Sequence, residues 1–384
     1  MRRTIGTLFL FAALAGSASA AAAQSDILLQ LRSGVPAGDR FRVDSAGGFV
    51  ALGEIGIGII PASGAGWRMM WHPQKTAFRA GYADLGGQFD EGNIGYYSWA
   101  GGALNIAQAI YSFSMGYNNQ VLGSAQGGLA VGGGNRIWSA PSVGEWGVAL
   151  GQNNDVYDIW GVAIGFNNTS NGNAAMALGY NSTADADYSM AFGYRASTNG
   201  FMGSKVFGDA STTDSIEAVA NNEFAVRAAG GYRFRTNATL TNGCNIAAGG
   251  ASITCASSRT LKENFGGVDG DDILQRMRRI PVNSWNYIDE GRQSRHIGPF
   301  AEDFWREFRL GTEPLAIGHL DIDGVNFAGI KALDERTTRL TADVEALRAR
   351  NAALEARNTA LDARNAELEA RLARLEALMA ERTP

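Results

Sequence analysis

The sequence predicts a mainly β protein with a β-solenoid head, a small α+β segment and a C-terminal coiled coil. Three observations support this fold class. The 384 residues include 50 glycines and only 18% are charged, a composition that favours turn-rich β structure. The middle of the chain repeats a short alternating pattern, which is typical of stacked strands. The C-terminal part repeats leucine every seven residues, as coiled coils do.

The first predicted element is a signal peptide over residues 1–23. Arg2 and Arg3 precede an apolar run from Ile5 to Ala15, and small residues follow that run. No later segment has the roughly 20 apolar residues that a transmembrane helix needs. We therefore expect a protein that is secreted, periplasmic or held at the cell surface. The net charge of −5 provides no basic stripe for nucleic acid.

The solenoid is predicted from repeats within residues 99–210. Each unit alternates a small residue with larger apolar ones and then turns at a glycine, and one unit cannot bury its apolar face alone. Residues 24–98 are rich in turns and aromatic residues and predict another β segment that caps the solenoid. The last four repeat glycines are 14 residues apart: Gly151, Gly165, Gly179 and Gly193.

Residues 211–256 predict a β connector that contains both cysteines of the chain. Cys244 and Cys255 lie on either side of a Gly249-Gly250 turn, so they can face each other across a hairpin. In an oxidising compartment a disulfide is the expected state, and a free or metal-binding pair is the alternative. The three histidines show no metal-ligand spacing, and we expect neither a metal nor a cofactor.

The stretch "SSRTLKENF" places Ser257 five residues before Lys262. A serine becomes a nucleophile when a neighbouring base takes its proton, and Ser-Lys pairs are a known form of this arrangement. Five residues put two side chains on opposite faces of a strand and about 140° apart on a helix, so the pair needs a bend or a neighbouring chain. The structural alternative is a capping box, in which Thr260 and Glu263 start a helix.

Residues 257–349 continue with an amphipathic helix "DDILQRMRRI", a strand "VNSWNY" and the segment "RHIGPFAEDFWREF". Residues 328–382 then predict a coiled coil. Asparagines at its seam fix the register and are often found in parallel dimers, so the pattern alone leaves dimer and trimer open. The heptad leucines are Leu333, Leu340, Leu347, Leu354, Leu361, Leu368 and Leu375.

Two family resemblances follow from these motifs. The repeats resemble the head of YadA-type trimeric autotransporter adhesins, which implies a left-handed parallel β-roll in a homotrimer. The order of segments from residue 257 resembles the self-cleaving intramolecular chaperone domain of phage endosialidases and tail spikes, serine peptidase family seventy-four. That resemblance implies that Ser257 is the nucleophile, Lys262 its base and His296 a supporting residue. Ser258 stands where the family usually has aspartate; it is a candidate supporting residue, and the departure leaves open which of the two serines acts.

These observations lead to a main functional hypothesis and two alternatives. The first is a secreted, trimeric fibre or adhesin-like protein whose C-terminal chaperone drives assembly and then releases itself beside Ser257. It would cut only its own chain. The second is an uncleaved structural surface protein with an inactive chaperone domain. The third is a glycosidase, although its acids form no obvious catalytic pair. Those acids are Glu145, Asp155, Asp158, Asp185 and Asp187.

The expected partner is the chain itself. The sequence does not identify any further ligand of the head, whether on a host surface or a glycan.

Overall fold

The computed structural model describes residues 27–34, 37–138 and 145–380. The predicted signal peptide, residues 1–23, lies outside the described residues. The chain divides into two compact units, Met1–Ala256 and Ser257–Pro384. The first is built from strands, and the second contains the three α-helices of the described chain. The predicted mainly β fold class is confirmed.

The first unit begins with a small antiparallel sheet of three strands in sequential order. They are β1 (Ile27–Gly34), β2 (Ala37–Asp44) and β3 (Phe49–Ala51).

Two sheets form the predicted solenoid, with a long strand and a short strand in each regular coil. The longer sheet has eleven strands in the described chain, and all its pairs are parallel except the first, which is an antiparallel hairpin. Numbered in chain order, its strands are β4 (Gly66–His72), β5 (Ala77–Ala83), β6 (Trp99–Ala103), β8 (Phe113–Tyr117), β10 (Leu129–Gly133), β12 (Val148–Gln152), β14 (Val162–Phe166), β16 (Met176–Tyr180), β18 (Met190–Tyr194), β20 (Lys205–Gly208) and β22 (Phe224–Val226). The shorter sheet has eight described strands: β7 (Ile106–Ala107), β9 (Gln120–Val121), β11 (Arg136–Ile137), β13 (Asp155–Val156), β15 (Thr169–Ser170), β17 (Thr183–Ala184), β19 (Ala196–Ser197) and β21 (Ile216–Glu217).

The repeat pattern sets the register of the coils. Ala163 and Ala177 are paired neighbours, and their small side chains are fully buried in the interior of the solenoid. Gly165 has φ of +122°, and a Cβ there would lie 2.1 Å from the carbonyl oxygen of Gly179. A glycine in every coil is therefore required by close approach of the backbones as well as by conformation.

The longer sheet extends beyond the predicted repeat region of 99–210, at both ends. At its start, Gly81 pairs with Gly102 and has φ of +139°, so the glycine column begins before the recognisable repeats. Arg79 occupies the interior position that Ala100 holds in the next coil. Burial lowers the pKa of Arg79 to about 10, and hydrogen bonds to neighbouring oxygens hold its guanidinium.

A ladder of buried asparagines runs through the solenoid at the corner between the long and short strands. Each side-chain amide donates to the Oδ1 of the asparagine one coil before it, over 2.9–3.0 Å. The ladder ends at Ser182, whose backbone N–H donates to Asn168 Oδ1 at 2.9 Å. Its members are Asn105, Asn119, Asn135, Asn154 and Asn168, all fully buried.

The first unit ends in the predicted connector. Strands β23 (Tyr232–Arg235), β24 (Gly243–Ile246) and β25 (Ile253–Cys255) form an antiparallel sheet. Cys244 and Cys255 are directly paired across β24 and β25 and form a disulfide. The predicted disulfide hairpin is confirmed.

The second unit has a small core between its helices. The helices are α1 (Gly270–Arg279), α2 (Ala301–Phe308) and α3 (His319–Ala380), and a two-stranded hairpin joins β26 (Asn283–Trp285) to β27 (His296–Gly298). Ile273, Phe304 and Val325, one from each helix, form the buried cluster. Within the described residues, no helix combines the length and apolarity needed to cross a membrane.

Candidate functional site at the Ser257–Lys262 turn

A single turn of 3₁₀-helix, Arg259–Leu261, lies between Ser257 and Lys262. Ser258 precedes the turn in an extended conformation, and its Oγ accepts a hydrogen bond from the backbone N–H of Thr260 at 3.3 Å. Lys262 follows the turn, also extended, and its backbone N–H donates to the carbonyl of Arg259 at 3.2 Å. The chain therefore bends between the two residues that the sequence analysis singled out.

The bend brings the two predicted dyad residues into contact. Lys262 Nζ donates to Ser257 Oγ at 2.6 Å. Neither a continuous strand nor a continuous helix allows this contact at a spacing of five, because the side chains would point in different directions. Chain assembly is therefore unnecessary for the contact itself, since one 3₁₀ turn within one chain is sufficient.

The capping-box alternative is wrong. Thr260 lies inside the 3₁₀ turn and does not begin an α-helix. The next helix, α1, begins eight residues beyond Lys262 and has its own cap, because Asp269 Oδ1 accepts from the backbone N–H groups of Asp271 and Asp272. The hydroxyl that caps a turn in this motif belongs to Ser258.

The capping role of Ser258 was not foreseen from the sequence. Its hydroxyl also lies 2.9 Å from Thr260 Oγ1, so two hydroxyls interact at the start of the turn. Serine and aspartate are comparable caps because each has a side-chain oxygen that reaches the backbone N–H groups of a first turn. The signal that could have revealed this role is the Ser-x-Thr order within "SSRT", two residues apart.

Solvent exposure limits what the pair can do in one isolated chain. Both Ser257 and Lys262 are exposed, as are all the residues between them. Arg259 lies over the ring of Phe265, with 5.8 Å between the guanidinium carbon and the ring centroid. A lysine acts as a base only when it is neutral, and burial favours its neutral form. The geometry for proton transfer is thus present, while a cover over the pair has to come from elsewhere.

His296, the predicted supporting residue, belongs to a different cluster. It pairs with Trp285 across the β26–β27 hairpin, and the two ring centroids are 4.8 Å apart. Its Nε2 lies 2.8 Å from Glu290 Oε2, and this hydrogen bond lowers the pKa of Glu290. Within the described chain, no hydrogen bond or ion pair joins His296 to Ser257 or Lys262. The contacts of His296 are those of a hairpin-stabilising residue.

Two family models match the chain. One is described as the chaperone of endosialidase and matches residues 257–309, so it begins at Ser257 and includes Lys262 and His296. The other, the YadA head domain repeat, matches two overlapping segments, residues 161–180 and 170–196.

No curated protein and no solved structure matches the chain. Both resemblances inferred from the sequence are confirmed by the family models. The protein therefore combines a head of YadA-like repeats with a C-terminal segment similar to the chaperone of endosialidase.

Proposed function

We propose that this protein is a secreted, homotrimeric fibre or adhesin-like protein whose C-terminal unit guides assembly and then cuts itself off beside Ser257. The observation that carries the proposal is the 2.6 Å hydrogen bond between Lys262 Nζ and Ser257 Oγ. This pair lies within the segment similar to the chaperone of endosialidase. The proposed location is extracellular, at or released from a bacterial surface.

The proposed reaction is an acyl shift followed by hydrolysis. Neutral Lys262 takes the hydroxyl proton of Ser257 as Oγ attacks the carbonyl carbon of Ala256. The C–N bond between Ala256 and Ser257 breaks, the amine nitrogen takes a proton, and Ala256 is held as an ester on Oγ. Water then hydrolyses the ester, which leaves a carboxylate on Ala256 and a free amine on Ser257.

The position of the cut suits release of the C-terminal part. The first compact unit ends at Ala256 and the second begins at Ser257. Strand β25 ends at Cys255 and the 3₁₀ turn begins at Arg259, so a cut between Ala256 and Ser257 breaks no strand or helix. Each product therefore keeps its own secondary structure after hydrolysis.

Assembly is the proposed trigger for cleavage. In the single chain both members of the pair are exposed to water. A neighbouring chain that covers the turn would remove water and favour the neutral amine that the reaction needs. Cleavage would then follow association, and the C-terminal unit would be released only after the chains have assembled.

The head has an apolar face that fits contact between copies of the chain. On strands β12, β14, β16 and β18 the buried alanine is flanked by larger apolar residues that point out of the coil, half-buried or exposed in the single chain. Stacked coils align these residues into two columns. One column contains Val148, Val162, Met176 and Met190, and the other contains Leu150, Ile164, Leu178 and Phe192.

Helix α3 carries a second apolar surface that requires partners. Its seven heptad leucines are 46–58% exposed, although a helix in water does not normally leave such a stripe uncovered. Full burial of one leucine stabilises a protein by about 1.5–3 kcal/mol, so covering half of each would contribute about 1 kcal/mol per leucine and chain. We propose that three α3 helices form a parallel coiled coil, in keeping with the trimeric YadA-type head.

Denaturing electrophoresis of the assembled protein tests the proposal. Wild-type protein should give two fragments, and the N-terminal sequence of the smaller one should read "SSRTLKENF". Ser257→Ala should remain at full length because the nucleophile is absent. Lys262→Arg should also remain uncut, because a guanidinium stays charged and cannot accept the proton.

The matched control is Ser252→Ala, which removes another exposed serine hydroxyl five residues before Ser257. This variant should be cut as the wild type is. A fragment that begins at Ser258 would place the attack on the following peptide bond. If Ser257→Ala is cut at the wild-type rate, the proposed nucleophile is wrong.

An uncleaved structural surface protein is the second candidate. The observation that favours it is the exposure of both Ser257 and Lys262 in the single chain. The same experiment distinguishes the two functions, because this candidate predicts one full-length band for the wild type after assembly.

A further inference from the structure

A row of exposed aromatic side chains runs along one corner of the solenoid, where each chain segment enters a long strand. We call it the corner row. Its members are 43–64% exposed. They are Tyr97, Tyr111, Trp146, Trp160 and Tyr188.

Hydrogen bonds between coils show that these residues form one column. The backbone N–H of Trp160 donates to the carbonyl of Glu145, the residue before Trp146, at 2.9 Å. The same bond recurs two coils later, where Tyr188 donates to Asn173 at 2.8 Å. Successive members of the column are therefore one coil apart, or about 4.8 Å.

Two members of the column are small. Gly127 lies between Tyr111 and Trp146, and the indole of Trp146 occupies the space that a side chain at Gly127 would need. Ala174 lies between Trp160 and Tyr188, so these two rings are separated by one coil without a large side chain. The ring of Trp146 thus covers the coil that contains Gly127, whereas the coil that contains Ala174 leaves a gap between the rings of Trp160 and Tyr188.

The backbone conformation shows that folding does not explain these rings. All five residues have φ between +55° and +60°, a left-handed conformation that bulky residues rarely adopt. No other aromatic residue of the described chain has a positive φ.

The corner at the other end of the long strands provides an internal comparison. It has the same left-handed conformation but uses asparagine in most coils, a residue that tolerates it well. Those asparagines are Asn118, Asn153, Asn167 and Asn181. Aromatic residues therefore occupy the corner row against their conformational preference, as strained residues at binding sites often do.

The surrounding charges identify the class of ligand. Glu145, Asp158 and Asp187 lie one or two positions before the last three members of the corner row, and no lysine or arginine occurs between Arg136 and Arg195. At the start of the row, the nearby Lys75 is neutralised by an ion pair with Glu91 at 2.8 Å. Carboxylates accept hydrogen bonds from hydroxyl groups, whereas an anionic ligand would be repelled. The negative faces of aromatic rings attract the C–H groups that line one face of a sugar ring.

We propose that the corner row binds an uncharged glycan chain that lies along the solenoid axis. The rings provide flat surfaces for successive sugars, and the neighbouring carboxylates accept bonds from their hydroxyl groups. The rings lie one above another and are exposed, so they do not enclose a small cation as an aromatic cage does. This site is separate from the Ser257–Lys262 pair and does not depend on cleavage.

Affinity electrophoresis in native gels tests the proposal. The full chain is run in gels that contain a soluble galactomannan, a β-glucan or a dextran, with polysialic acid as the anionic comparison. We expect retardation in at least one neutral gel and none with polysialic acid. The double variant Trp160→Asn and Tyr188→Asn should lose at least tenfold in affinity, while asparagine suits the left-handed backbone and preserves the fold.

Two controls separate ring contact from folding. Replacement of the same two residues by phenylalanine keeps the rings and should preserve most of the binding. Tyr117→Asn removes a tyrosine that is 60% exposed on the same solenoid but outside the corner row, and it should bind as the wild type does.

Three results would overturn the proposal. The first is no retardation in any neutral gel, and the second is equal retardation of the wild type and the asparagine double variant. The third is a change of oligomeric state in that double variant, measured by light scattering, which would make the corner row a contact between copies of the chain. Retardation by polysialic acid alone would contradict the choice of an uncharged ligand.

Discussion

Replacing Asn154 by alanine should weaken the head because it breaks the asparagine ladder at its centre. Asn154 Nδ2 donates to Asn135 Oδ1 at 2.9 Å and also contacts the carbonyls of Leu150 and Gly165 at 3.0 and 2.9 Å. Its Oδ1 accepts from the backbone N–H and the side-chain amide of Asn168, at 3.1 and 3.0 Å. All of these bonds would be lost together.

The expected cost follows from the groups that lose a partner. Alanine at position 154 would remove the partner of one buried N–H, that of Asn168, and a partner of two carbonyls, those of Leu150 and Gly165. Each buried group left unsatisfied costs about 1–3 kcal/mol, so about 4 kcal/mol is a reasonable total. For a unit of this size that corresponds to a fall of about 10 °C in melting temperature.

The chain itself suggests the matched variant. Ser182 occupies the ladder position at the end of the series, and its Oγ donates to the carbonyl of Gly193 at 3.2 Å. Asn154→Ser should therefore keep a bond to the next coil and cost about half as much as Asn154→Ala. Thermal unfolding followed by circular dichroism would measure both, in a Ser257→Ala background so that all samples remain uncut. A melting temperature of Asn154→Ala equal to that of the Ser257→Ala parent would refute the ladder as a source of stability.

Three further predictions concern the turn, the connector and acid stability. Ser258→Ala should slow cleavage about fivefold, because the lost cap costs about 1 kcal/mol. Ser258→Asp should be cut at the wild-type rate. Equal cleavage rates for the two variants would contradict the capping role of Ser258. Alkylation of the exported protein without reductant should label neither Cys244 nor Cys255, and labelling of both would rule out the disulfide. Hydrogen bonds from Ser211, from a backbone N–H and from Arg227 hold the pKa of Asp209 below its usual value, so its contribution to stability is present above about pH 4 and is lost as the pH falls further. The difference in melting temperature between wild type and Asp209→Asn should accordingly shrink below about pH 4. A difference that stays constant with pH would contradict a stabilising role of the ionised Asp209 carboxylate.

The solenoid could be predicted because its requirements recur in the sequence. The regular coils carry a small interior residue and a glycine at the backbone contact, and from Gly151 to Gly193 both recur every 14 residues. The asparagine ladder was missed because the second asparagine in "GQNN" and "GFNN" also suits a turn. Its burial depends on stacking between coils, which is not a local property of the sequence.

The candidate site was predicted only in part, because some of its contacts are not a local property of the sequence. The need for a bend between Ser257 and Lys262 follows from their spacing, but the residue that caps the bend depends on which of three neighbouring hydroxyls reaches a free N–H. Thr260 was the sequence-based choice, and Ser258 is the residue that does so. The contact of His296 with Glu290 depends on how the β26–β27 hairpin closes, and the spacing of six residues gives no sign of it.

Intact-mass spectrometry of the assembled, purified wild-type protein is the most direct test of self-cleavage beside Ser257. The proposed reaction predicts two polypeptides whose masses add up to that of the exported chain plus one water, with the smaller one beginning at Ser257. A single mass that corresponds to the uncut chain, in a sample whose subunits have associated, would contradict the account.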